Sequence, residues 1–323
     1  MRLIVGLLVS SCLLLAGVDG TVFNATTGQP QPLVAVSLVQ PGASGMQTLG
    51  SAKSDAEGKF KIDKDYPPGP ALVQAFYQGA TYTMVLTPGT PTSGLRVDIY
   101  DSTKDSGSAK IAQDMLMLER TADALQIRET VFLQNDTKMT FQDPAKGSAR
   151  FYLPPSVEGK VQVTVNPPGG MPIQRPAEKT TQPDIYKVVY PVRPGQTSFD
   201  INYSLPAAEK FSGKNPHPGV PIDLVTPPTV TLSGDGLQAL GQEPKTQARV
   251  YGFTGDGALP SYNLTIEGTG SLRSPEATQD EDTGSPKVEE APARLYSQLP
   301  WVLGLTLGIL FLGGALLYRK GTA

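Results

Sequence analysis

Residues 53–62 read Lys-Ser-Asp-Ala-Glu-Gly-Lys-Phe-Lys-Ile, and this stretch contains a clear local signal for the fold. Asp55 to Gly58 has the composition of a tight turn, and Phe60 and Ile62 then alternate with lysines. A period of two places apolar side chains on one face of a strand and charged side chains on the other. The stretch therefore predicts a turn followed by a half-buried β-strand.

Comparable strand and turn signals extend outward from this stretch. Leu33 to Val39 is apolar and β-branched, Ala71 to Tyr77 follows a Pro-Pro-Gly sequence, and Tyr82 to Leu86 alternates. The chain of 323 residues contains 34 glycines and 30 prolines, which are spread along its length. Short strands separated by regular turn signals are typical of β-sandwiches. We therefore predict an all-β fold with two or three β-sandwich domains in tandem.

Four stretches near the N-terminus resemble the carboxypeptidase regulatory-like domain. They are Gly20-Thr21-Val22, Thr27-Gly28-Gln29-Pro30, the strand Val34 to Leu38, and Ser54 to Phe60. That family is a transthyretin-like, seven-stranded β-sandwich, and the resemblance covers residues 19–90. It implies a fold and an accessory role beside some other activity. It implies no catalytic residue.

Residues 113–134 allow two interpretations. Met, Leu, Gln and Glu are frequent there and favour a helix by propensity. Against a helix, apolar positions recur with a period of two, and Thr121-Ala122-Asp123 can form a turn. The inward positions of that pattern are Leu125, Ile127, Glu129, Val131 and Leu133. We predict a hairpin of two strands, Gln113 to Glu119 and Leu125 to Gln134.

The two ends of the chain predict an exported, single-pass membrane protein. Arg2 precedes an apolar run, Leu3 to Ala16, of about 14 residues with small residues at its end, as in a secretory signal peptide cleaved between Ala16 and Gly20. An uncleaved anchor or a buried strand is the alternative. Cys12 lies in a sequence that resembles a bacterial lipobox, so lipidation there is a further possibility.

The C-terminal segment Leu299 to Tyr318 has no charged residue. At about 20 residues it is long enough to span the roughly 30 Å hydrocarbon core of a bilayer. Arg319 and Lys320 follow at once, which places the short tail in the cytoplasm and the body outside it. Cys12 is the only cysteine, and a body without disulfides favours the bacterial periplasm over an animal ectodomain. A GPI-type tail and a helix in a soluble core are the alternatives.

The signals together predict the organisation of the chain. The segments are a signal peptide (1–19), a carboxypeptidase regulatory-like sandwich (20–92), a second sandwich (93–212), a β-rich stretch that is separate or completes the second sandwich (213–270), a disordered stalk (271–297), a transmembrane helix (299–318) and a cytoplasmic tail (319–323). The stalk is rich in Pro, Ser, Glu and Asp and poor in apolar residues, which favours disorder. Gly304 and Gly308 have the small-xxx-small spacing of associating membrane helices.

No residue pattern identifies an active site or a metal site. The only histidine, His217, lies between two prolines, and we predict an exposed loop residue there. A single histidine cannot form a His₂ or His₃ metal site, and no Ser-based catalytic motif occurs. Gly234-Asp235-Gly236 and Gly255-Asp256-Gly257 are predicted to be turns rather than calcium loops. We also predict that the Asn-x-Ser/Thr sequons do not carry glycans; they begin at Asn24, Asn135, Asn202 and Asn263.

The predicted function is therefore that of a non-catalytic, membrane-anchored module outside the cytoplasm. Its expected partners are the bilayer, through Leu299 to Tyr318, and an unidentified envelope protein or glycan. A net charge of −3 and the lack of a basic patch argue against nucleic acid. No catalytic, cofactor-binding or metal-binding residue is assigned. The alternatives are a membrane-bound hydrolase with an unrecognised carboxylate site and an accessory subunit of an inner-membrane complex.

Overall fold

The computed structural model describes residues 17–42, 45–64, 69–157, 159 and 161–272. Within these ranges the protein is all-β, with two short 3₁₀ turns and no α-helix. No helix in the described ranges is long and apolar enough to cross a bilayer. The predicted signal-peptide core, most of the predicted stalk, the predicted transmembrane helix and the predicted cytoplasmic tail lie outside the described residues.

The first sandwich is formed by strands β1 to β8. Their bounds are β1 (Val18–Asn24), β2 (Gln29–Pro30), β3 (Ala35–Gly42), β4 (Gly45–Lys53), β5 (Lys59–Ile62), β6 (Ala71–Tyr77), β7 (Ala80–Leu86) and β8 (Leu95–Ile99). One four-stranded sheet has the order β2-β1-β5, with β8 parallel to β1, and the other has the order β4-β3-β6-β7. Alternate apolar side chains of both sheets form one core between them.

The predicted turn before β5 is confirmed in detail. The Asp55 carboxylate accepts the backbone N–H groups of Glu57 and Lys59 at 3.0 and 2.7 Å. Gly58 has φ +73°, a left-handed conformation that glycine adopts without a Cβ penalty. Phe60 and Ile62 are buried while the neighbouring lysines are exposed.

The boundary predicted after residue 92 is too early. β8 pairs with β1 in parallel from Leu95 to Ile99, and its inward side chains belong to the core of the first sandwich. The first sandwich therefore extends through Ile99. β1 also begins at Val18, which is fully buried, so two residues predicted as leader lie in a strand.

The remaining strands form the second part of the body. Their bounds are β9 (Ser102–Thr103), β10 (Lys110–Arg120), β11 (Ala124–Asn135), β12 (Thr140–Phe141), β13 (Ala149–Tyr152), β14 (Gln162–Asn166), β15 (Ile173–Pro176), β16 (Glu178–Lys179), β17 (Ile185–Val188), β18 (Gly195–Pro206), β19 (Lys210–Lys214), β20 (Ile222–Thr226), β21 (Thr231–Ser233), β22 (Leu237–Gln242), β23 (Arg249–Phe253) and β24 (Ser261–Glu267). β10 and β11 confirm the predicted hairpin, because they pair antiparallel from Lys110–Gln134 to Arg120–Leu125.

One eight-stranded sheet, in the order β15-β14-β18-β11-β10-β20-β23-β22, runs through this second part. The three-stranded sheet β13-β17-β16 covers one end and encloses the second core. The sheet β19-β24-β21 covers the other end and encloses the third core. β11 contributes Val131 and Leu133 to the second core and Leu125 and Ile127 to the third. Strands from residues 93–212 and 213–270 thus share a single sheet.

Hydrogen bonds connect the first sandwich to the second part. The Tyr82 hydroxyl donates to the Tyr100 carbonyl at 2.8 Å and lies 2.8 Å from Thr140 Oγ1. The short parallel pair of β9 and β12 lies beside this contact. The Thr26 hydroxyl also donates to the Lys138 carbonyl. The tyrosine side chain is buried, so its hydroxyl depends on these protein partners rather than on water.

Replacing Tyr82 with phenylalanine is expected to cost about 1–2 kcal/mol of unfolding free energy, because two buried polar groups lose their partner. Urea denaturation followed by circular dichroism measures this loss. Tyr100→Phe is the matched control, since its hydroxyl makes no hydrogen bond to any described residue and the ring is only partly buried. Equal effects of the two substitutions would show that the hydroxyl of Tyr82 does not stabilise the connection.

Candidate functional site

The candidate site is a cleft of about 370 Å³ between the first sandwich and the second part. One wall is the outer face of β6 and β7, together with Met46 of β4. The other wall is formed by β15 and by the loops before β15 and after β17. Its apolar side chains include Met46, Leu72, Met171, Ile173 and Tyr190, and its polar side chains include Gln74, Thr81, Thr83, Arg175 and Arg193.

The loop between β14 and β15 positions the apolar wall. Pro167-Pro168-Gly169-Gly170 forms a turn in which the Gly170 N–H donates to the Pro167 carbonyl at 3.3 Å. Gly169 has φ +61°, which its lack of a Cβ permits. Met171, just after this turn, is 50% exposed, and Met46, which lines the same cleft, is 49% exposed. Large apolar side chains exposed on both walls of one cleft are typical of a binding surface.

Arg193 borders this cleft as a buried residue. The bridge between Phe141 and Val192, with both N···O distances at 2.9 Å, fixes the backbone just before it. The Arg193 side chain is only 8% exposed, and Nη2 donates to the Pro168 carbonyl at 3.0 Å. Its buried Nε has no hydrogen-bond partner. Among the described residues no carboxylate forms an ion pair with this guanidinium.

Arg193 also borders a second cleft, of about 380 Å³, on the far side of Pro168 and Gly169. This second cleft is lined by residues of β7 and β8, including Arg96. Arg96 is neutralised by Asp98 at 2.7 Å, and its guanidinium stacks on Phe23 with Cζ 3.9 Å from the ring centroid. Arg193 is thus the buried cation that both clefts share.

A second positive charge converges on the first cleft. Arg175 Cζ lies 5.9 Å from the centroid of the Tyr190 ring, a cation–π distance, and its side chain is exposed. Burial raises the pKa of the Tyr190 hydroxyl, and the charges of Arg193 and Arg175 partly oppose that rise. Both guanidinium groups therefore act at the same tyrosine, and neither is balanced by an ion pair among the described residues.

The structure also brings three ionisable side chains together inside the body. His217 Nδ1 lies 3.0 Å from Asp114 Oδ2, and Asp114 is fully buried. The prediction that His217 is an exposed loop residue is wrong, because the side chain is 8% exposed. Asn215 fixes the loop, since its Oδ1 accepts the His217 N–H at 2.8 Å and its Nδ2 donates to Val220 at 2.8 Å.

Glu129 is the third member of this cluster. It points inward from β11 at the junction of the second and third cores, and it is buried. Burial raises the pKa of Glu129 well above its ordinary value, and the neighbouring Asp114 carboxylate raises it further. Burial also raises the pKa of Tyr203 and of Tyr262, with Glu129 as the next cause. Both causes favour the protonated form of the Glu129 carboxyl over the charged form.

We expect Glu129→Gln to stabilise the body at pH 7–8 by about 1–3 kcal/mol, because it removes the cost of keeping a carboxyl in an apolar site. The pKa of Glu129 is higher in the folded chain than in the unfolded chain. Its contribution to the free energy of unfolding is therefore fully present below about pH 4.5 and is lost as the pH rises toward the folded-state pKa. The advantage of the variant should disappear near pH 4. Thermal melts of the variant and the wild type from pH 4 to 8 measure this advantage, and Glu57→Gln, at an exposed position, is the control. A stability difference that stays constant over this pH range would refute the raised pKa of Glu129.

Among the described residues, neither the buried cluster nor the other sequence candidates are joined by a third triad member or by a set of metal ligands. Asp114 and His217 resemble two members of a triad, but no hydroxyl or thiol of the described residues bonds to the His217 ring. The described residues also contain no group of three or more His, Cys, Asp or Glu side chains suited to a metal ion. Gly236 and Gly257 have φ +75° and +94°, as their predicted turns require.

The four sequons divide into two classes. Asn24 and Asn135 are each 1% exposed and accept hydrogen bonds from the backbone of the residues that follow, so their amides are inaccessible in the folded chain. Asn202 and Asn263 are exposed within strands. Their Oδ1 atoms accept bonds from Arg128 and from Ser212.

Comparison with known proteins does not assign the chain to a family. No family model matches it, and no curated protein matches it. One similar solved structure is an M1 zinc metallopeptidase from Deinococcus radiodurans bound to a Tyr-Ser-Ala substrate, with TM-score 0.26 and 13% identity over 56% of this chain. The chain spans 51% of the length of that structure. Another is the major pilin subunit of Bacillus cereus, with TM-score 0.21, 12% identity and 62% of each chain covered. Similarity this low carries no functional argument.

Proposed function

We propose that this protein is a non-catalytic, membrane-anchored recognition module outside the cytoplasm, and that it binds an envelope protein in the cleft bordered by Arg193. The observation that carries the proposal is the composition of that cleft. Exposed Met46 and Met171 both line it, and Arg193, a buried arginine that forms no ion pair with any described residue, borders it. β6 and β7 supply one wall and β15 with its neighbouring loops the other, which suits recognition by a preformed surface.

The proposal includes the topology expected from the sequence. The leader is removed before Val18, because cleavage there leaves β1 whole, and the body is tethered through Leu299 to Tyr318 with the C-terminus in the cytoplasm. The first sandwich serves as a carboxypeptidase regulatory-like domain. Two four-stranded sheets around one core support that assignment. Its role is then to hold one wall of the cleft rather than to perform chemistry.

The hydrolase alternative calls for a clustered, concave carboxylate pair, and among the described residues Asp114 and Glu129 lie near each other beside His217. That cluster lies within the packed interior of the second part, and Asp114 has no exposed surface. A substrate could not reach it without separation of the sheets. The accessory-subunit alternative predicts that Gly304→Leu and Gly308→Leu abolish copurification of a membrane partner.

Crosslinking of intact membranes, followed by affinity purification and mass spectrometry, tests the proposed function. A reproducible protein partner is the expected result. Bound glycan without protein would contradict protein recognition and would support a glycan-binding module. Absence of any attached molecule would contradict the recognition function and would favour the hydrolase alternative.

A further inference from the structure

The chemistry of the cleft also indicates what kind of protein segment it takes. An arginine side chain stays charged at any physiological pH, so a buried guanidinium needs a counter-charge or several acceptors. Among the described residues Arg193 has one acceptor, the Pro168 carbonyl at 3.0 Å, and its Nε has none. The group that would complete this site is an anion, and the described residues do not provide it.

The second arginine strengthens this requirement. Arg175 extends from β15 over the Tyr190 ring, and its guanidinium has no carboxylate partner among the described residues. An anion near Tyr190 would therefore be attracted by two positive charges, one from a buried side chain and one from an exposed side chain. Paired guanidinium groups are well suited to a planar carboxylate, which accepts two parallel hydrogen bonds.

We infer that the cleft binds an extended segment of a partner protein that carries an aspartate or glutamate beside an aliphatic residue, with the carboxylate held by Arg193 and Arg175. This inference rests on the proposed function and names the chemistry of its ligand. The aliphatic side chain contacts Met46, Met171 and Ile173. Methionine side chains are flexible and polarisable, so they adapt to different apolar partners.

Two features favour a peptide over a glycan. The side chains of Met171, Pro172 and Ile173 donate no hydrogen bonds, and a sugar hydroxyl packed against them would be left unpaired. The hydroxyls of Thr81 and Thr83 lie on the opposite wall. Recognition through side chains also fits the edge of β15, because Pro172 and Pro176 flank Gln174 and cannot donate backbone hydrogen bonds to an added strand.

The methionines that line the cleft provide the test. The full chain is labelled with [¹³C-methyl]methionine in detergent and titrated with acetyl-Ile-Asp-Ile-amide or with acetyl-Ile-Asn-Ile-amide. We expect the methyl signals of Met46 and Met171 to shift saturably with the aspartyl peptide, while those of Met115 and Met139 stay in place. The asparaginyl peptide should bind at least about tenfold more weakly, because hydrogen bonds to charged groups are stronger than neutral ones.

Arg175→Gln should weaken the binding of the aspartyl peptide by a similar factor. Its side chain is exposed, so the variant is expected to fold. Arg128→Gln, an exposed arginine on the eight-stranded sheet away from the cleft, is the matched control and should leave the affinity unchanged.

Two outcomes would overturn the carboxylate assignment: equal affinity for the two peptides, or unchanged affinity in Arg175→Gln. Preferential shifts with glucuronic acid would overturn the peptide assignment in favour of an acidic glycan. If a crosslinked protein partner is found but neither peptide shifts Met46 or Met171, this inference fails while the proposed function stands.

Discussion

Replacing His217 with alanine is expected to destabilise the body by about 3–5 kcal/mol, the cost of removing one partner from a buried pair. Within the part of the chain that the structure describes, the His217 ring is the one partner of the Asp114 carboxylate, through Nδ1 and Oδ2 at 3.0 Å. Asp114 has no exposed surface, and its Oδ1 is already without a partner. Without the histidine, the whole carboxylate would be buried and unbonded. Urea denaturation of the purified chain, followed by circular dichroism, measures the loss.

The double variant Asp114→Ala/His217→Ala is the control for this prediction. It removes both members of the pair, so neither is left buried without the other, and its cost should be clearly less than the sum of the two single substitutions. A loss of less than about 1 kcal/mol for His217→Ala, or strict additivity in the double variant, would show that the pair is not an energetic unit.

Replacing Phe151 with alanine is expected to cost about 3–5 kcal/mol, the usual cost of truncating a fully buried phenylalanine. Phe151 has no exposed surface, and its ring stacks on Tyr186 with centroids 6.5 Å apart in the second core. Because β10, β11 and β20 belong to one sheet, the loss should extend to the third core. Hydrogen exchange of peptides from β24 should therefore accelerate together with that of peptides from β13.

Phe76→Ala is the matched control, because that ring is 57% exposed, and it should change the stability by less than about 1 kcal/mol. Unchanged exchange in β24, with faster exchange in β13, would contradict cooperative unfolding of the second part. In that case residues 213–270 would unfold as a separate domain despite the shared sheet.

The elements that could be predicted from the sequence are those with one buried face. The hairpin of β10 and β11 and the turn before β5 follow from alternation and turn chemistry alone. β4 and β22 were not predicted because both are edge strands whose side chains are mostly exposed. Neither strand has the alternation that a core imposes, since hydrogen bonds to a neighbouring strand define them instead.

The candidate sites were less predictable, for two different reasons. Glu129 lies at an inward position of an apolar strand, and an ionisable residue at such a position indicates an unusual buried site. Its neighbours could not be identified, because Asp114 meets His217 only through the parallel pairing of β10 with β20. Arg193 gave no signal at all, since its environment arises between two sandwiches whose contact no local pattern specifies.

Site-directed crosslinking tests the central claim most directly. Cys12 is the only cysteine of the chain, so Met171→Cys places a defined reactive thiol in the cleft. Leu240→Cys is the control, since Leu240 is 59% exposed on β22 at the other end of the eight-stranded sheet. After labelling with a maleimide photocrosslinker in intact membranes, Met171→Cys should yield a protein adduct that Leu240→Cys and the wild type lack. Identical adduct patterns for all three proteins would contradict recognition at this cleft.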